Sequence, residues 1–156
     1  MQVKTQPSRA INQRVRAILL TGRDSLLFIK RVKPHNSAPY WVAPGGGVEH
    51  EDSDLFAALE RELYEELGAM ATVLETAFIL EHQKAGKHLE EHFFICRLDN
   101  YDLSKRYGPE FDDPQRGEFI PEEIPLDVLD LARIHIKTPE MRDWIIDNLD
   151  YLRELQ

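Results

Sequence analysis

Apolar and polar residues recur along this chain in two periods, and those periods place most of its elements. Residues 15–20 read Val-Arg-Ala-Ile-Leu-Leu, apolar and strand-compatible. Gly22, Arg23 and Asp24 form a turn signal, and 26–29 returns as Leu-Leu-Phe-Ile, so the pair predicts a β-hairpin. A loop over 33–39 leads to a short strand at Tyr40-Trp41-Val42, which runs into Pro44 and the glycines Gly45, Gly46 and Gly47. The strongest helical period follows. Over 53–67, Phe56, Leu59, Leu63 and Leu67 recur at three- and four-residue intervals and form one apolar stripe. Asp52 or Ser53 can cap the start of this helix, and Gly68 suits its end.

Beyond Gly68, 71–82 and 88–98 are β-rich, and Lys84-Ala85-Gly86-Lys87 joins them as a second, longer hairpin. Residues 99–117 are polar and contain Gly108-Pro109 and Asp113-Pro114. Connections of that length are often functional. A short strand over 117–120 and a short helix over 126–131 follow. A final amphipathic helix over 139–152 offers Trp144, Ile145, Leu149 and Leu152 for burial. Strands before, between and after helices predict an α/β (α+β) domain over 14–156, preceded by a flexible polar arm at 1–13.

Composition narrows the function classes. With 156 residues, the chain is long enough to bury a real core, and 30% charged residues is ordinary for a soluble domain. No stretch approaches the roughly 18 apolar residues of a membrane span, and the first residues lack an apolar signal core. The single cysteine, Cys96, sits in Phe93-Phe94-Ile95-Cys96 and reads as a small buried hydrophobe. A cytoplasmic protein without disulfides is therefore expected. The net charge of −9 disfavours an extended nucleic-acid-binding face, which needs clustered cations. A small phosphate ligand stays open, because bound divalent cations reverse the local sign.

The chemistry-bearing stretch is Gly45-Gly46-Gly47-Val48-Glu49 followed by Arg61-Glu62-Leu63-Tyr64-Glu65-Glu66-Leu67-Gly68. At about 100° per residue, Glu62, Glu65 and Glu66 share one helix flank, beside the stripe that anchors the helix. Like charges so arranged repel, and a hard divalent cation compensates. Arg61 stands four residues before Glu65 and can orient it. The glycines let the backbone turn sharply and approach a ligand, and a glycine-rich turn before a helix can present amides to an anion.

These residues resemble the Nudix family, whose signature is Gly-x5-Glu-x7-Arg-Glu-U-x-Glu-Glu-x-Gly-U, with U a bulky aliphatic. Counted back from Arg61, the chain matches at Gly47, Arg61, Glu62, Leu63, Glu65, Glu66 and Gly68. Ser53 then stands at the first acidic position, and Ala69 replaces the last aliphatic. A second alignment starts at Gly46, places Asp52 at the acidic position and needs one extra residue before Arg61. We favour the second, because Pro44-Gly45-Gly46-x-x-Glu49 also resembles the family's approach to the motif.

The resemblance implies an α/β/α sandwich with a mixed sheet. It also implies hydrolysis of a pyrophosphate bond in a nucleoside diphosphate derivative, with Mg²⁺ or Mn²⁺. Carried over by position, Glu62, Glu65 and Glu66 would be metal ligands and catalytic groups. The Gly46 carbonyl and Asp52 would be further ligands, and Arg61 would orient Glu65. The alternative is a non-catalytic Nudix-like domain that binds or senses a nucleotide. Outside the motif, Arg31 and Lys33 could hold phosphates, Trp41 or Tyr40 could stack on a base, and Gly46 and Gly47 could approach the substrate. Strand alternation would turn Glu90 and His92 to one face and Glu91 to the other. The acids Glu90, Glu91, Glu118, Glu122 and Glu123 read as solvated. His82, His88 and His92 fit no standard zinc spacing. The partner would be a small nucleotide-type molecule, and nothing in the sequence decides between a monomer and a homodimer.

Overall fold

The computed structural model describes residues 11–35 and 38–156. Of the arm expected at 1–13, the first ten residues lie outside the described ones, and 11–13 belong to a strand. The strands are β1 (Ile11–Leu20), β2 (Ser25–Val32), β3 (Tyr40–Val42), β4 (Gly45–Gly47), β5 (Ala69–Lys84), β6 (Lys87–Tyr101) and β7 (Glu118–Pro125). The helices are α1 (Leu55–Leu67), α2 (Val128–Arg133), α3 (Pro139–Asp147) and α4 (Leu149–Leu155).

One mixed sheet runs β3-β2-β1-β6-β5, with β4 paired to β1 and β7 paired to β2. The β1–β6 ladder is parallel, and the other pairings are antiparallel. Alternation along β1 explains the layers. Val15, Ala17 and Leu19 face a core shared with Ala58, Leu59, Leu63 and Leu67 of α1. Ile18 and Leu20 face the opposite core, filled by Met141, Ile145, Leu149 and Leu152 of α3 and α4. The sheet therefore lies between helical layers, as the α/β/α expectation required.

Several local expectations change. The β1–β2 hairpin is open, its strands registering at Leu20 and Leu26. Along the rest of those edges β1 pairs with β4 at Arg14 to Arg16 and β2 pairs with β3 at Ile29 to Arg31, while the opposite edges pair with β6 and β7 over the full strands. The glycines expected as a turn form β4, aligned on Arg14, Val15 and Arg16. The cap of α1 is Asp54, not Asp52 or Ser53, and its carboxylate accepts from the Ala57 amide at 2.7 Å. Phe56 is 52% exposed and touches Phe94 at a centroid distance of 5.3 Å, so Ala58 takes the buried place given to it. The final helix breaks at Asn148, whose side chain donates to the Trp144 carbonyl at 2.7 Å and competes with helix continuation. The long connection after β6 is three single 3-10 turns, Leu103–Lys105, Pro109–Phe111 and Pro114–Arg116.

Two readings were met. Gly68 ends α1 with φ 58°, donating to the Leu63 and Tyr64 carbonyls. Cys96 is fully buried, and that burial pushes its thiol up to about 12. Among the described residues, no helix is long and apolar enough to cross a membrane.

Leu63 is 2% exposed beneath the sheet. We expect Leu63→Ala to cost about 2–5 kcal/mol in urea unfolding, because it leaves a cavity that the core cannot fully close. Phe56→Ala should cost clearly less, and equal losses would contradict the burial described for α1.

Candidate active site

The site begins with the buried stripe of α1. Because Leu59, Leu63 and Leu67 fix the helix on the sheet, the residues between them are held on its other flank. Arg61 is the hub of that flank. Its Nε donates to Asp52 at 3.0 Å and its Nη2 to the other Asp52 oxygen at 2.9 Å, a two-pronged pair. Nη2 also donates to the Gly47 carbonyl at 2.9 Å, tying the glycine strand to the helix. Nη1 lies 3.1 Å from Glu62, 3.3 Å from both Glu65 oxygens and 3.5 Å from Glu49. One guanidinium thus answers four carboxylates.

A second guanidinium holds the glycine strand from beneath. Arg16 donates to the carbonyls of Ala43 and Gly45 at 3.2 Å and to Glu91 at 2.9 Å. Glu91 is 7% exposed, and its other oxygen meets His82 at 3.1 Å. The Gly45 amide in turn donates to Glu66 at 3.2 Å. Gly46 leaves room for Glu62: a Cβ added there would lie 2.5 Å from that carboxylate.

Burial is the largest influence on two of these acids. Burial raises Glu62 above the ordinary carboxylate range, Arg61 opposes the rise, and Glu65 adds to it. Burial also pushes Glu66 up to about 8, with Arg16 opposing and Glu62 adding. Asp52 moves the other way, held low first by its hydrogen bond to Arg61. Alongside the site lies a cleft of about 770 Å³, with Gln13, Arg14, Gly47, Glu49, Lys87 and Leu89 in its lining.

Comparison with known proteins decides the family. The NUDIX domain model matches residues 11–144. The chain belongs to the NUDIX domain family.

No curated protein matches the sequence of this NUDIX domain significantly. Among solved structures, a NUDIX hydrolase from Nitrosomonas europaea superposes with a TM-score of 0.67 at 20% identity, covering 91% of this chain and 90% of that one. A MutT protein from Methanosarcina mazei Go1 gives 0.61 at 17% identity, covering 94% and 97%. A UDP-X diphosphatase gives 0.64 at 15% identity, covering 95% of this chain and 66% of that one. At these identities the structures are alike in fold. Family membership supports a hydrolase acting on a pyrophosphate-type bond.

Gly47, Asp52, Glu62 and Glu65 meet at Arg61, Glu62 lies over Gly46, and Glu66 accepts from the Gly45 amide. Asp52, rather than Ser53, faces Arg61, which fits the alignment starting at Gly46. Gly47 also lines the cleft, whereas Arg31, Lys33 and Trp41 do not. Arg31 donates to the carbonyls of Arg116 and Glu118 and lies 3.7 Å from the Phe119 ring centroid. Lys33 is exposed on the loop after β2. Trp41 is 9% exposed in the core and donates to Glu122 at 2.6 Å, and Tyr40 packs near His135. Glu90 and His92 do share a face, meeting at 3.3 Å, and Glu91 points to the other.

The three histidines engage separate partners: Glu91 for His82, Gln83 for His88 and Glu90 for His92. Among the described residues, the group whose ligand atoms all fall within 4.8 Å is Glu81, His88 and Glu90 on the β5–β6 hairpin. On α1, Glu62 and Glu65 instead meet Arg61, and Glu66 meets the Gly45 amide. Sequence reasoning missed Arg16, since β1 is merely apolar by pattern, and Arg106; the stretch from Tyr107 to Arg116 reads as a specificity loop, but the reach of Tyr107 to α1 has no signal in the sequence.

Asp52 is 7% exposed at its side chain and engaged twice by Arg61, whereas Ser53 is exposed. Losing a charged partner should make Asp52→Asn about 1.5–3 kcal/mol less stable in urea unfolding. Ser53→Ala should stay within about 0.5 kcal/mol. The reverse order would favour the alignment that starts at Gly47.

Proposed function

We propose that this NUDIX domain is a metal-dependent hydrolase of the phosphoanhydride bond in a nucleoside diphosphate derivative, working with Mg²⁺ or, in its place, Mn²⁺. The observation that carries this reading is the gathering of Glu62, Glu65, Glu49 and Asp52 around Arg61 beside a glycine strand, with Glu66, on the same helix turn, accepting from the Gly45 amide of that strand. Such an arrangement costs stability unless more positive charge arrives.

The residues fit a hard divalent ion. The donors are carboxylate oxygens, with glycine carbonyls beside them, the ligand type such ions prefer. Glu62 occupies a cradle over Gly46 that any Cβ would fill. Glu62, Glu65 and Glu66 would hold the ion, with the Gly46 carbonyl as a further donor. Bound there, it would supply neutralisation of phosphate charge and a more acidic water.

The chain's own groups do the rest. Arg61 spends Nε and Nη2 on Asp52 and Gly47, which leaves Nη1 to aim Glu62 and Glu65. Asp52 serves as the clamp on Arg61, since both its oxygens are engaged there. A carboxylate oxygen of Glu65 or Glu66 takes the proton of the attacking water. Arg14 and Lys87 give the cleft positive charge for a phosphate, and Leu89 gives it an apolar wall for the group attached to it. Cytoplasmic nucleotide-type molecules suit such a cleft.

The test is release of products from a panel of nucleoside diphosphate derivatives, run with Mg²⁺ and again with excess chelator. We expect turnover that the chelator abolishes. Glu65→Gln and Glu66→Gln should lower kcat about 10²-fold or more with unchanged circular dichroism. Metal-independent binding without turnover would instead make the protein a nucleotide sensor.

A further inference from the structure

The turn that carries Glu65 and Glu66 is the last turn of α1. Carbonyls there have no amide partner within the helix and need one from elsewhere. Gly68 satisfies the Leu63 and Tyr64 carbonyls. The next ones are met by the segment after β6. Tyr107 donates its amide to the Glu65 carbonyl at 2.9 Å, and Asp102 donates its amide to the Gly68 carbonyl at 3.1 Å. The Glu66 carbonyl receives the Arg106 side chain, from Nε at 2.9 Å.

Arg106 is itself fixed. Its Nη1 donates to the Phe119 carbonyl at 3.0 Å at the start of β7, and its guanidinium lies 4.5 Å from the Phe111 ring centroid. Its Nη2 is buried with no hydrogen-bond partner among the described residues. That arrangement costs free energy, so the contact is not a casual surface one. The Tyr107 hydroxyl stands beside the Glu65 carboxylate, and the Tyr107 ring meets Tyr64 at 6.3 Å. The segment therefore braces the final turn at its backbone and touches one of its acids.

We propose that Arg106 is a positioning residue for the metal-binding carboxylates, bracing the last turn of α1 against β7 so that Glu65 and Glu66 are held where a divalent cation needs them. Tyr107 assists through Glu65. The inference rests on the proposed function, because it assumes that these carboxylates take the ion. A lysine gathers its three donors on one nitrogen and lacks the planar fork that reaches the two carbonyls from Nε and Nη1.

The experiment titrates Mn²⁺ into the wild-type protein and into Arg106→Lys, Arg106→Met and Tyr107→Phe, following free Mn²⁺ by electron paramagnetic resonance. Thermal unfolding and steady-state kinetics accompany it. In Arg106→Met we expect Mn²⁺ affinity or kcat, or both, to fall about 10–100-fold, as for groups that orient metal ligands. Substrate KM should change little, and Arg106→Lys should recover part of the loss. Tyr107→Phe should show a smaller loss in the same direction. If Arg106→Met does not fold, Arg106→Lys alone decides. Folded variants with wild-type Mn²⁺ affinity and kcat overturn the inference while leaving the proposed function intact. A wild-type protein that binds no Mn²⁺ overturns both.

Discussion

One guanidinium stands at the centre of this structure. Arg61 joins Asp52, the Gly47 carbonyl, Glu49, Glu62 and Glu65, drawn from the glycine strand, the linker and the helix. Without it, the acids on α1 would repel one another and the Gly47 end of the strand would lose its tie to the helix. A planar fork with five donors can serve such divergent acceptors, which a single ammonium cannot. The side chain is 20% exposed, so its contacts are screened less than those of a surface pair.

The rest of the fold delivers the partners to that hub. The apolar stripe of α1 fixes the helix over β1 and β6, which sets the azimuth of the acidic flank. The β4–β1 pairing sets the height of the glycines above it, and Arg16 fastens them to Glu91 on β6. On the far side, Arg106 ties the last helical turn to β7. Three arginines from distant parts of the chain therefore surround the carboxylates. Each of them spends at least one donor on backbone carbonyls, so each holds the frame as well as moderating charge.

Local periodicity made part of this legible in the sequence. The 3.6-residue stripe placed α1, Gly68 placed its end, and the spacing of Glu62, Glu65 and Glu66 placed them on one flank. What it left out depends on partners remote along the chain. Residue period alone does not say that three glycines will pair with β1, or that β6 will pair along its other edge. Asp52 and Asp54 are equivalent as local caps. Asp54 directly precedes the helix and caps it, and Asp52 is engaged instead by Arg61, nine residues away. Arg31 and Trp41 looked available for a substrate because their backbone and core partners lie 81 to 87 residues further on. Arg106 meets the Glu66 carbonyl across 40 residues, and no short-range signal announces that contact.

The acidic flank of α1 is proposed as a seat for a divalent ion. Anomalous X-ray scattering from crystals soaked in Mn²⁺ tests it most directly. We expect an anomalous peak within coordination distance of carboxylate oxygens from Glu62, Glu65 and Glu66. A peak confined to Glu81, His88 and Glu90 on the hairpin, or none at all with Arg61 still seated between Glu62 and Glu65, would contradict it.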